Sequence, residues 1–206
     1  QKIIGASDFQ WVVSNYSEGS LSVLKSGTKQ AKSFTIIERA GLKIGVVGAN
    51  TSETIEQVFP GNLDYTDASG AKKTIIIDPG VTGINQAIVD AKAAGADLVI
   101  ALVHQGWLEN SDGVSKGILN TMAAQIKGAA AIYGGHSHQS FASVIPSSPR
   151  VAPVVIGQTR NSGVEYTRTQ ICMKFGKVVG QSIEHVLKAA APTMTTGVVS
   201  TVTTQD

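Results

Sequence analysis

Residues 96–107 read ADLVIALVHQGW. From Leu98 to Val103 every side chain is apolar, with no polar alternation, and the run is too short for a typical helix. A strand buried on both faces has this composition, and such strands belong to sheets flanked by helices. His104 closes the run. A second stretch, AAAIYGGHSH at 129–138, repeats the design: an apolar run, then Gly134 and Gly135, then His136 and His138. A third, KIGVVGAN at 43–50, is apolar nearly throughout. It follows another β-rich run, so residues 34–50 read as a hairpin turning at RAG.

The segments between these runs are helical in pattern. In 78–97, Ile84, Ile88 and Ala91 share one face and Gly95 stands at the C-terminal end, where a left-handed cap is expected. In 115–128, Ile118, Met122 and Ile126 fall on one face. Thr51 or Ser52 is an N-cap candidate for a short helical turn over 51–58. The alternation predicts a layered α/β fold built from β-α-β-α-β. After Ser140 the texture changes: FASVI, VAPVVIGQ, VEYTRTQICMKF and KVVGQSIEHVLK read as successive strands, an antiparallel meander. FQWVVSN at 9–15 reads as a short strand, 16–33 as a polar surface excursion, and 60–73 as loop. The Thr-rich tail, 189–206, is expected to be extended or poorly ordered.

Composition narrows the function classes. The 206 residues suffice for a real core, and a net charge of +2 with scattered Lys and Arg offers no basic stripe for a nucleic-acid polymer. No run is long and apolar enough to predict a membrane span. The single cysteine, Cys172, lies in an alternating stretch and reads as a small buried apolar residue. There is no initiator Met and no signal-like start. A cytoplasmic chain, a removed signal and an origin inside a longer precursor all stay open.

Three of the four histidines, His104, His136 and His138, fall just past the C-terminal ends of two apolar runs. In open α/β sheets that edge is where ligands bind. Three imidazoles on one rim suit a borderline divalent metal. The two glycines are expected to turn the backbone and leave room. Taken singly, each histidine would read as a turn residue; the grouping carries the metal reading. His185, in an alternating strand, reads as surface or structural. Asp97 reads as a helix-to-strand turn residue, Asn15 as a turn residue rather than a ligand, and neither Asp8 nor Asp78 has a nameable partner.

GLKIGVVGANTSET at 41–54, ADLVIALVHQGW at 96–107 and GGHSH at 134–138, followed by APVVIGQTRNSGVEYTR, together resemble the metallophosphoesterase (calcineurin-like) superfamily, most closely its 5′-nucleotidase branch. The resemblance runs from DFQWVVSNY to about residue 188. It implies an α/β/β/α sandwich of which residues 1–188 are the second half, the C-terminal half of a catalytic domain. It implies a centre of two divalent ions (Mn, Zn, Fe or similar), with His104 and His136 on one and His138 on the other. The implied substrate is a small phosphoester or nucleotide. The implied location is extracellular, cell-surface or periplasmic.

The family's oxygen ligands are not in this sequence. There is no Asp-x-His and no Asn-His, so no catalytic residue is assigned on this chain, and substrate-binding residues stay unknown. The expected partner is an N-terminal half carrying those motifs. Without it the chain should be inactive alone and should expose an apolar sheet face that favours association into oligomers or aggregation. Two alternatives stand beside the enzyme: a non-catalytic binding module that keeps the fold without the di-metal site, and a simple mono-metal protein.

Overall fold

The computed structural model describes residues 2–107, 118–145, 153–187 and 196–203. A short helix α1 (Lys2–Ala6) leads to α2 (Glu18–Ser22) and a two-residue ribbon, β1 (Lys25–Ser26) with β2 (Lys29–Gln30). The hairpin β3 (Phe34–Arg39) and β4 (Leu42–Ala49) follows, then α3 (Thr54–Gln57) and a second ribbon, β5 (Asp64–Thr66) with β6 (Lys72–Thr74). Helix α4 (Thr82–Ala93), β7 (Leu98–Val103), α5 (Ile118–Gln125) and β8 (Ala131–Tyr133) form the alternating centre. Five strands close the chain: β9 (Phe141–Ile145), β10 (Val154–Gln158), β11 (Glu165–Lys174), β12 (Lys177–Leu187) and β13 (Thr196–Thr203).

Six strands make the main sheet, in the order β3-β4-β7-β8-β10-β9. The four inner strands run parallel, and the two edge strands are antiparallel to their neighbours. The 34–50 hairpin and both helical crossovers stand as the sequence indicates. One face of the sheet carries Val47, Val99, Ala101, Val103, Ile132 and Ile156, which pack on Ile84, Ile88, Ala91, Leu119, Met122 and Ile126 of the helical layer. Gly95, with φ of 94°, ends α4 in the left-handed cap.

The opposite face is covered in part by the sheet β11-β12-β13. Ala131 and Val155 of the main sheet meet Ile183 there, with Tyr133, Ala142, Val144 and Ile171 around them. The Tyr133 hydroxyl bridges the sheets by donating to Thr169 Oγ1 at 2.6 Å. The remaining part, over β3, β4 and β7, stays open: Ile37 is 39% exposed and Leu102 45%, with Ile44, Val46 and Ile100 half-buried between them.

Several expectations need correction. Cys172 is exposed. The alternation of β11 turns Ile171 inward, and its neighbour must then point out. On α5 the buried set is Leu119, Met122 and Ala123, while Ile118 is 53% exposed. Two apolar residues stand side by side, and packing selects the second. The first three residues of the expected 115–128 helix lie outside the described residues. FASVI and VAPVVIGQ pair antiparallel, but they extend the main sheet, because β10 seats itself parallel to β8. Residues 9–15 are not a strand. They make a single bridge, Val12 to Lys32, and Ser14 N–H donates to Gly48 O at 2.7 Å. The 16–33 excursion is anchored by buried Ser20 and Ala31, and the 60–73 loop holds the β5–β6 ribbon. Thr196–Thr203, within the Thr-rich tail, is extended, one of the two forms expected, and pairs antiparallel with β12 as β13. No helix among the described residues is long and apolar enough to cross a membrane.

Ile156 lies at the centre of this packing with no exposed surface, whereas Val89, on the outer side of α4, is exposed. Ile156→Ala is expected to lower the unfolding free energy by about 2–5 kcal/mol, and Val89→Ala by about 0.5 kcal/mol or less. Urea titrations followed by circular dichroism check the pair.

Candidate metal centre

Because β4, β7 and β8 are parallel, their C-terminal ends lie on one edge, and the loops that leave them meet there. The β4 loop carries Asn50, Thr51 and Glu53. The β7 loop begins with His104 and Gln105. The β8 loop carries Gly134 to His138. Backbone bonds tie the loops together: His104 N–H donates to Ala49 O at 2.9 Å, and Gly135 N–H to Gln105 O at 3.0 Å.

Both inner histidines sit at the centre of tight three-residue turns. Gln105 N–H donates to Val103 O across His104, and Ser137 N–H donates to Gly135 O across His136. His136 has φ of 75° and His138 φ of 57°. Left-handed backbone is costly for residues other than glycine, and the γ-turn geometry of His136 is a strained one. The glycines therefore have a different task from the one expected. The turn is made by the histidines, and Gly134 allows close packing. A Cβ there would stand 2.4 Å from Leu119 Cδ2 and 2.7 Å from Gln105 O. At Gly135 it would touch only the His104 ring, at 3.5 Å.

His136 Nδ1 lies 3.3 Å from His104 Nε2, with the rings edge to face. His136 Nε2 lies 2.9 Å from Glu53 Oε2. His138 is exposed and reaches His104 through its charge. Partial burial, first, and then repulsion between its charged form and those of His136 and His138 hold the His104 pKa below the ordinary imidazole value. His104 is thus neutral at neutral pH, the form in which imidazole binds metals.

Two imidazole nitrogens on one tetrahedral ion, each at about 2.0–2.1 Å, stand roughly 3.3–3.4 Å apart. The His104–His136 separation fits that spacing. Yet among the described residues no group of three or more His, Cys, Asp or Glu side chains is arranged to hold a metal ion. Glu53 does not complete one, since it engages the far nitrogen of His136. The donor set present here is the imidazole side of a site.

Buried amides brace the loop. Gln158, at the end of β10 and 1% exposed, accepts from Trp107 N–H at 2.8 Å through Oε1. Its Nε2 donates to Ser137 Oγ at 2.7 Å and to Gln139 O at 2.8 Å, and Ser137 Oγ donates to Trp107 O. His185 is buried and structural: its Nε2 donates to Gln158 O at 2.9 Å, and Ser140 Oγ lies 3.2 Å from its Nδ1. On the β4 side Asn15, 3% exposed, clamps three segments. It donates to Asn50 O and Asp78 O and accepts from Asn50 N–H. Asp78 accepts from Gly80 N–H, Asp8 lies 3.8 Å from Lys29 Nζ, and Asp97 accepts from Lys43 N–H at the helix-to-strand turn. A cavity of about 500 Å³ opens beside His104, lined by Ile4, Trp11, Val13, Tyr16 and Asn50 among others. Glu53 and Gln158 are not singled out by the sequence. Nothing local marks them, since Glu53 is 83 residues from its histidine.

No family model matches this sequence, and no curated protein sequence matches it. Solved structures do. A 5′-nucleotidase precursor from Thermus thermophilus is similar over 90% of this chain and 35% of its own, with TM-score 0.63 and 18% identity. The sulfate thiohydrolase SoxB of the same genus covers 88% of this chain and 29% of its own, with TM-score 0.55 and 17% identity. A Haemophilus influenzae NAD nucleotidase covers 98% and 34%, with TM-score 0.52 and 15% identity. At such identities the likeness establishes the fold alone, the α/β fold that these structures share. The chain is similar in fold to these 5′-nucleotidase-type structures and spans about a third of their length.

Replacing Gln158 by Leu keeps the volume and removes the acceptor of the Trp107 N–H bond and the donor to Ser137 Oγ and Gln139 O. Gln158→Leu is expected to cost about 1–3 kcal/mol and to shift the backbone amide signals of His136 and Ser137. Urea unfolding together with amide NMR reads both effects. Unchanged amide positions would show that Gln158 does not brace the histidine loop.

Proposed function

We propose that this chain is part of a metal-dependent phosphoester hydrolase of the 5′-nucleotidase or cyclic-nucleotide phosphodiesterase type, with residues 1–188 as the second half of its catalytic domain. The observation that carries the reading is the pair of facing nitrogens, His104 Nε2 and His136 Nδ1, 3.3 Å apart on the ligand-binding edge of the sheet. His104 and His136 would serve one divalent ion (Mn, Zn, Fe or similar) and His138 a second. When bound, such a pair of ions supplies positive charge to hold phosphoryl oxygens and acidify a water for in-line attack. The chain's own part is to present the imidazoles on a braced loop. The carboxylates and the Asn-His pair come from an N-terminal half, which would also cover the open face around Ile37 and Leu102. The substrate class is a small phosphoester or nucleotide, and the place of action is extracellular, cell-surface or periplasmic.

A second reading, a binding module without chemistry, is favoured by one observation: no complete ligand set occurs among the described residues. The two separate in one experiment. Co(II) titration and a phosphatase assay are run on this chain alone and on the chain joined to its natural upstream sequence. The enzyme reading expects weak binding that drops further in His136→Ala, no turnover from this chain alone, and turnover from the joined protein. Full turnover from this chain alone would refute the account of the missing ligands. No turnover and no added metal site in the joined protein would leave the binding module.

A further inference from the structure

The pair His136–Glu53 has the outward form of a surface ion pair, and such pairs contribute little to stability. Its geometry indicates more. Glu53 is the residue just before α3, yet its side chain does not cap that helix. It reaches instead across to the β8 loop, where Oε2 stands 2.9 Å from His136 Nε2. Its own backbone is held in place: Glu53 N–H donates to Thr51 Oγ1, and Thr51, 1% exposed, lies 3.4 Å from the buried Gln105 Nε2. The carboxylate is thus anchored to the β4 and β7 loops while it holds a side chain of the β8 loop.

An ionised carboxylate can only accept a hydrogen bond. His136 Nε2 must therefore carry the proton. In a neutral ring that leaves Nδ1 bare, and Nδ1 is the atom that faces His104 Nε2. We infer that Glu53 is a positioning residue that fixes His136 as the Nε2–H tautomer, with its Nδ1 lone pair aimed at the point it shares with His104. The consequence for metal binding rests on the reading of His104 and His136 as ligands. The tautomer itself does not.

This arrangement divides the work between the two histidines. His136 is preset, since its proton already sits on the nitrogen turned away from the ion. His104 meets the bare Nδ1 and can donate to it through Nε2 when no ion is present. To ligate, it passes that proton to solvent and takes one on Nδ1. Only one ring changes tautomer on binding, and the ring in the strained left-handed turn stays as it is. A carboxylate on the outer nitrogen also raises the basicity of a ligating imidazole.

The test uses the 206-residue chain labelled with ¹⁵N-histidine and long-range ¹H–¹⁵N correlation at neutral pH. The expected result is an Nε2–H signature for His136 in the wild type, a mixture with Nδ1–H in Glu53→Ala, and recovery in Glu53→Gln, whose amide oxygen still accepts. In a parallel Co(II) titration, Glu53→Ala is expected to weaken binding by about 10–100-fold, with part of the loss restored in Glu53→Gln. Amide spectra check that the variants fold. A wild-type His136 in the Nδ1–H form, or a tautomer unaffected by Glu53→Ala, overturns the inference. Failure of the metal reading is seen separately: Co(II) affinity would then be indifferent to His136→Ala, while the tautomer measurement still decides the role of Glu53.

Discussion

The parallel pairing of β4, β7 and β8 governs the rest of the molecule. Parallel strands must be joined by crossovers, so α4 and α5 are forced onto one face, and the three strands must all end at the same edge. The register places Ala49 against Val103 and Leu102 against Tyr133. Residues just beyond those positions, Glu53, His104 and His136, become neighbours without any local sequence relation. The apolar runs thus build the core and also set the address of the polar groups.

That edge is costly to hold. Two non-glycine residues in left-handed conformations, buried amides and several close backbone approaches occupy a few loop residues. The cost is met by hydrogen bonds that leave little unsatisfied: Gln158 serves Trp107, Ser137 and Gln139 at once, and Asn15 serves both sides of Asn50. Strain of this kind persists where the surroundings over-determine it. Here the over-determination comes from β10, whose last residue is Gln158. The seating of β10 beside β8 is therefore as necessary to the histidine loop as β8 itself.

The sequence reveals the main sheet readily, because its inner strands carry nearly unbroken apolar runs, even where one face is left open as at Leu102. Leu98–Val103 and the 34–50 hairpin show this. So does α4, whose Ile84, Ile88 and Ala91 recur at helical spacing. Phase is harder. Where two apolar residues adjoin, as at Ile118–Leu119 or Ile171–Cys172, either can face the core, and only tertiary packing chooses. The histidines are visible as a group because three of them end apolar runs. Glu53 and Gln158 are not, since a carboxylate or an amide near a strand end is ordinary, and its meaning depends on what arrives opposite it. Asn15 shows the same limit, reading as a turn residue while serving as a clamp.

Leu102 and His104 are two residues apart on one strand and its exit, so the open apolar stripe runs directly into the imidazole pair. A polypeptide that covers Leu102 necessarily arrives beside His104. If that polypeptide also carries the remaining ligands, as proposed above, burial of the stripe and completion of the ligand set are one event seen from two ends, and thermodynamic linkage follows. An ion held by groups from both sides tightens the association, and association tightens the grip on the ion by the same factor. On that reading the proposed N-terminal half and this chain would join cooperatively, with the ion acting as the last rivet of the interface.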